Sequence, residues 1–136
     1  LCDEAGTVVA AAHAGWRGLC DGVIERTVAA MDCPPHRLLA WLGPAIGPTA
    51  FELGGEVRDA FISHHAADAS EFSPRGPEYP DKFLADIYGL AKRRLVRAGV
   101  VNIFGGGFCT VTDPTRFFSY RRNGKTGRMA AVVWVG

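Results

Sequence analysis

Thr7-Val8-Val9-Ala10-Ala11-Ala12-His13-Ala14-Gly15-Trp16-Arg17-Gly18 is the stretch on which the reading of the fold turns. Its opening run, Thr7 to Ala12, is small and β-branched with no polar alternation, the pattern of a strand covered on both faces. A Gly-rich turn follows. Leu19, Val23, Ile24, Thr27, Val28 and Met31 then recur at helical spacing until Cys33-Pro34-Pro35 stops them. The stretch therefore predicts strand, tight turn and helix, with His13 at the junction.

Outward from there, Leu38 to Leu42 predicts a short buried strand, broken by Gly43-Pro44 and Gly47-Pro48, and Phe51 to Leu53 another. Gly55 to His65 places Val57, Phe61 and Ile62 on one helical face. Ala66 to Pro80 is polar and contains proline, and its length reads as a lid or an insertion. Asp81 to Ala98 is the clearest helix, with Asp81 as N-cap, a stripe of Phe83, Leu84, Ile87, Tyr88, Ala91 and Leu95, and Gly99 as the stop. Lys92, Arg93, Arg94 and Arg97 suit its C-terminal end. Val100 to Phe104 predicts a strand and Gly105-Gly106-Gly107 a turn. Met129 to Val135 predicts a closing strand too apolar for an exposed edge. Strands alternating with helices give an α/β or α+β layered fold.

The chain has 136 residues and is 48% hydrophobic, enough for one core, so residues 1–136 are read as a single domain or part of one. Its 15 basic and 14 acidic residues nearly cancel, which removes any general field for nucleic acid or an anionic membrane. A small molecule or a protein is the expected partner. Cys2, Cys20, Cys33 and Cys109 form no C-x-x-C pair and follow no secretory leader, which points to reduced thiols and a cytoplasmic setting. The opening Leu1-Cys2-Asp3 has neither Met nor a polar tail and reads as a strand cut partway.

Two readings of His13 stand open. A histidine at the end of a rigid strand can be aimed into a site; it can equally hydrogen-bond nearby backbone. One imidazole is not a metal site, because catalytic zinc takes three protein donors and a water. His64 and His65 are adjacent on a helix, point in different directions and read as solvated. The Gly105–Gly107 run lacks the lysine and helix start of a phosphate loop. Cys109 reads as a small core residue. Phe117 to Arg122 interleaves aromatics and arginines, either as a pocket wall that stacks on a base or as packing and a helix cap. Beside His13, the candidate substrate-binding residues are Arg17, Tyr120 and Arg121.

Taken in order, HAGWRG from His13, WLGPAIGP from Trp41, FELGGEV from Phe51, FLADIYGLAKRRL from Phe83, GV at Gly99 with IFGG from Ile103, CT at Cys109, FFSYRR from Phe117 and GRMAAVVW from Gly127 closely resemble the YfiH-like, laccase-domain family. The resemblance covers nearly the whole chain. It implies an α+β fold, a layered αββα-type sandwich of mixed sheets, of which this chain is the C-terminal portion. It also implies a zinc centre held by two histidines and a cysteine, with His13 as one ligand and as the catalytic residue. The other two ligands sit in a Gln-Val-His-Gly motif and an Ala-Asp-Cys motif that fall before Leu1, as does an Arg-Gly-Gly-containing motif near the substrate. Cys2 does not take the place of the missing cysteine. The Gly107-Phe108 pair departs from the polar residues of the family pattern.

The implied activity is phosphorolysis of adenosine, inosine, guanosine or methylthioadenosine, together with adenosine deamination, by a monomer that takes a purine nucleoside and phosphate. Copper-dependent polyphenol oxidation is an alternative, although laccase chemistry uses several coppers and many histidines and this chain has four, mostly solitary. A cysteine hydrolase pairing an upstream cysteine with His13 is another. As an isolated fragment the chain is expected to be inactive.

Overall fold

Leu38–Leu42 forms β2, a strand whose two edges are both hydrogen-bonded. On one side β1 (Cys2–Asp3) runs antiparallel, with Cys2 opposite Leu39; on the other β6 (Asn102–Gly105) runs parallel, with Leu39 opposite Asn102 and Trp41 opposite Phe104. Leu38 and Ala40 face the interior, as the two-residue strand period requires. A second sheet is wholly antiparallel: β5 (Lys82–Ala85) lies between β3 (Glu52–Gly54) and β4 (Phe72–Pro74). Four longer helical segments complete the set: α1 (Trp16–Cys20), α2 (Val23–Ala30), α3 (Gly55–His64) and α4 (Ile87–Arg97), followed by the single-turn α5 (Tyr120–Asn123). The class is α+β with mixed pairing, as expected.

The computed structural model describes residues 1–136. Contacts group them into two units, Leu1–Gly43 with Ala91–Gly106 and Ala130–Gly136, and Pro44–Leu90 with Gly107–Met129. Leu19, Ile24, Val28, Leu38, Leu95 and Val100 are buried in the first; Phe51, Leu53, Val57, Phe61, Phe72 and Ala85 in the second. Burying a leucine or phenylalanine side chain of this kind is worth about 1.5–3 kcal/mol.

Several elements differ from the sequence reading. The helix expected from Leu19 to Met31 is two helices, because Gly22 takes a left-handed φ of 86° between them. Thr7 to Ala12 is not a buried strand. It pairs only around Val9, in an isolated antiparallel bridge to Cys2 flanked by hydrogen bonds of Val8 and Ala10 to Asp3 and Leu1, while Ala11 and Ala12 are exposed. The Asp3 carboxylate accepts the Thr7 amide at 2.6 Å and the Val8 amide at 3.0 Å, which curls the start of the run back on β1.

The predicted Asp81–Ala98 helix begins only at Ile87, because Lys82–Ala85 is the central strand of the second sheet. Pairing on both edges outweighs the helical spacing of Phe83 and Leu84. The cap is Asp86, not Asp81: its Oδ1 accepts the Gly89 amide at 3.0 Å. At the other end Gly99, with φ 89°, closes a Schellman motif in which its amide donates to Val96 and the Val100 amide to Leu95. The Ala66–Pro80 segment is less a lid than a packed element. Ala66–Glu71 is a 3-10 helix with Asp68 fully buried, and β4 puts Phe72 against Phe61 at a centroid distance of 5.8 Å. Met129 to Val135 forms no strand: it pairs with neither sheet, and Val132 and Trp134 are 75% and 76% exposed.

Asp3 ties the hairpin that precedes His13, and its carboxyl is held at about 2, below the ordinary 3.8. The Val8 amide and then the Thr7 hydroxyl, at 2.7 Å from Oδ2, stabilise the charged form against the opposing effect of burial. A depressed folded-state pKa contributes stability that is present in full above the unfolded value and is lost as pH falls from about 4 through about 2. Asp3→Asn should therefore lower the melting temperature at neutral pH and flatten its decline over that acid window. An unchanged acid profile in pH-resolved thermal melts would remove Asp3 from this role.

Candidate functional site

The chain leaves the Cys2–Val9 bridge without regular secondary structure and reaches His13 just before α1. Gly15 caps α1 in extended geometry, φ −61° and ψ 161°, and its carbonyl accepts the Leu19 amide at 2.8 Å. The imidazole folds over this glycine: a Cβ on Gly15 would lie 3.1 Å from His13 Nε2. A Cβ on Gly18 would lie 3.6 Å from the His13 carbonyl. The two glycines thus leave the space that the histidine uses. The ring is exposed and makes no hydrogen bond to nearby backbone. That decides against a histidine that merely satisfies the turn.

Arg17 lies on α1, exposed, with its guanidinium 4.3 Å from the centroid of the Trp16 ring. Trp16 itself is only half-buried. His13 and Arg17 therefore share one turn of one unit. Tyr120 and Arg121 belong to the other unit. Tyr120 is 73% exposed on α5, whereas Arg121 donates to the Glu52 carbonyl at 3.1 Å and sits over the Phe51 ring. Its neighbour Arg122 gathers the carbonyls of Thr110, Val111 and Phe117 at 2.7, 3.0 and 2.9 Å, and Ser119 caps α5. Within Phe117 to Arg122, then, Arg122 and Ser119 pack and cap.

The half-buried Cys109 sits against Gly47, where a Cβ would come within 3.2 Å of Sγ. Burial pushes its thiol up, but the Thr112 hydroxyl and the amides of Gly47, Thr112 and Val111 together hold it below the ordinary thiol value. Nearby, Tyr88 accepts the Ala45 amide at 2.7 Å, and burial raises its phenol above the ordinary value. Phe108, at the position where the family pattern is polar, packs edge-on to Phe117 at 5.7 Å. Gly105 takes φ 76°, and a Cβ there would meet the Leu42 carbonyl at 2.6 Å, so the glycine run turns the chain out of β6 and starts no helix. His36, His64 and His65 are exposed.

Two of the chain's concavities lie away from His13. One, of about 310 Å³, is a mostly apolar groove between Val8–Ala10 and α2; the other, of about 380 Å³, carries Thr49, Ser70, Glu71, Ser73 and Asp86. No group of three His, Cys, Asp or Glu side chains could hold a metal ion. A zinc centre of the kind the resemblance implies needs three protein donors, so the residues of this chain do not fit one by themselves; His13 offers one donor. The sequence reading missed Arg94, which is 4% exposed in the first unit. Its signal was present: Arg94 falls three residues after Ala91 and seven after Ile87, on the apolar stripe of α4.

No helix is long and apolar enough to cross a membrane. A family model described as multi-copper polyphenol oxidoreductase laccase matches residues 1–136. The chain is 58% identical over 135 residues to a purine nucleoside phosphorylase of Pseudomonas aeruginosa, covering 99% of this chain and 55% of that protein. It is likewise 58% identical to the purine nucleoside phosphorylase YfiH of Escherichia coli, covering 54% of it. The chain thus spans about half the length of the curated relatives it matches. Among solved structures, a Neisseria meningitidis protein described under the family model DUF152 superposes with a TM-score of 0.86 at 53% identity, over 90% of this chain and 50% of that one. A YfiH protein of Bacillus licheniformis gives 0.73 at 26%, over 82% and 43%. Matched along its whole length, the chain belongs to the multi-copper polyphenol oxidoreductase laccase family, among whose members its curated relatives are YfiH-type purine nucleoside phosphorylases.

Proposed function

We propose that this chain carries the His13 turn of a purine nucleoside phosphorylase acting on adenosine, inosine, guanosine or methylthioadenosine, with adenosine deamination as a second activity. The observation that carries the reading is the exposed imidazole of His13, held over Gly15 without a hydrogen bond of its own, in a chain whose curated relatives bear that name. In phosphorolysis a phosphate oxygen bonds to the sugar C1′ as the bond from C1′ to the purine nitrogen breaks. The electron pair leaves with the base, which takes up a proton. The site must therefore bind an anion and manage a proton. Arg17, exposed on the same turn, has the planar donor fork that matches phosphate. His13, exposed on the same turn, would serve that site as a metal donor through its imidazole rather than as the proton carrier.

Zinc belongs to this proposal as the resident metal, with His13 as one donor and the others supplied from beyond these residues. Tyr120, exposed in the other unit, has an aromatic face that could stack on a base, with Arg121 beside it in sequence. Four free thiols suit a reducing, cytoplasmic setting, and a monomer suffices for the reading.

In the complete natural polypeptide, His13→Ala should lower zinc occupancy and kcat for phosphorolysis, the latter on the order of 10²-fold or more, while leaving the melting temperature in place, because the ring is exposed. Chromatographic assay of base release decides it, and wild-type turnover would sink the assignment. Gly15→Ala should be gentler. Its backbone suits alanine, which contributes about 0.4–1 kcal/mol through the unfolded chain, but the new methyl presses on Nε2 and shifts the ring. We expect retained or raised stability with a several-fold fall in kcat; equal kcat in steady-state kinetics would show that the ring's placement over Gly15 is irrelevant.

A further inference from the structure

We propose that Arg94 is the positioning residue of the His13 turn. The proposal rests on the reading of His13 given above and adds a residue that touches neither substrate nor metal. Helix α1 has five residues, too few to hold itself in water. Its order depends on what satisfies the carbonyls at its end. The Asp21 amide takes the Arg17 carbonyl at 2.8 Å, the Gly22 amide takes Leu19 at 3.2 Å, and Arg26 reaches the Asp21 carbonyl at 2.7 Å from the surface. The Cys20 carbonyl is taken from inside, by Arg94 Nη2 at 2.9 Å.

The same guanidinium donates through Nη1 to Glu25 Oε1 at 2.8 Å. Glu25 lies in the first turn of α2, so Arg94 spans the left-handed break at Gly22 and fixes the end of α1 to the start of α2. A positive charge at the C-terminal end of one helix and a carboxylate at the N-terminal end of the next both agree with the helix dipoles. From Cys20 the constraint runs back through α1 to the Leu19 amide on the Gly15 carbonyl, and Gly15 is the residue under the imidazole. A planar fork can serve both acceptors at once, whereas a lysine ammonium on its flexible stem serves them with poor geometry. Displacement of a reacting group by about 1 Å can cost on the order of 10²-fold in rate.

The test compares His13→Ala, Arg94→Lys and Glu25→Ala in the complete natural polypeptide, far below its melting temperature. Three readouts are taken: kcat with KM, circular dichroism, and hydrogen exchange of the Leu19 and Asp21 amides against that of the Ile103 and Phe104 amides in β6. If Arg94 positions the turn, Arg94→Lys lowers kcat about tenfold or more with KM little changed. Exchange then speeds up at Leu19 and Asp21 and not in β6, and Glu25→Ala gives a smaller effect in the same direction. Glu25 is the outer anchor, so this variant keeps the test alive should Arg94→Lys fold poorly. Wild-type kcat and α1 exchange in a folded Arg94→Lys, beside an inactive His13→Ala, would overturn the positioning role alone. A uniform rise in exchange with unchanged kcat would make Arg94 a general stabiliser and overturn it as well. An active His13→Ala would overturn the reading beneath it and the proposal together.

Discussion

The first unit depends on the pairing of β2 along both of its edges. Leu38–Leu42 is the one strand there with neighbours on either side, antiparallel β1 and parallel β6. Each edge carries a consequence. Through β1 it fixes the hairpin stapled by Asp3 and bridged at Val9, from which the chain leads to His13. Through β6 it fixes the strand that follows the Schellman stop of α4, the helix that presents Arg94. The turn under discussion is thus suspended between a sheet that sets where it starts and a buried guanidinium that sets where α1 ends.

What was legible in the sequence follows the same division between local and distant causes. Leu38–Leu42 and the helix beginning at Gly55 were read nearly residue for residue, since a five-residue apolar run between breakers and a clear helical face are local signals. The break at Gly22 was also local, a glycine inside an otherwise helical pattern, but the apolar spacing hid it. Lys82–Ala85 was not local. Phe83 and Leu84 fit a helical stripe as well as a strand, and two partners distant in sequence settled the matter. Thr7 to Ala12 and Met129 to Val135 have strand composition, but the first pairs only through the bridge at Val9 and the second with neither sheet, and composition alone makes no ladder.

The candidate site divides similarly. His13 was found from its place between an apolar run and a Gly-rich turn, and its family role from the resemblance; the fold over Gly15 and the lack of a backbone partner needed coordinates. Arg121 illustrates the opposite case. An arginine beside aromatics reads as a binding residue, yet its guanidinium serves the Glu52 carbonyl and the Phe51 ring. Cys109 gained a chemical identity from coordinates alone: the nearby Thr112 and Val111 turn back on its thiol, and Gly47, remote in sequence, lies against it and adds a further amide. Arg94 was visible as a charge on an apolar stripe, and the meaning of that charge lay in two acceptors on other helices.

The central claim is that nucleoside chemistry takes place at the His13 turn. The most direct measurement is a crystal structure of the complete natural polypeptide soaked with a non-hydrolysable inosine analogue and phosphate. The account predicts that the sugar C1′ region of the analogue lies against the His13 imidazole, with the phosphate on the Arg17 side of the turn. Density for the nucleoside seated elsewhere, such as the cavity lined by Thr49, Glu71 and Asp86, with the His13 turn facing only solvent, would contradict it.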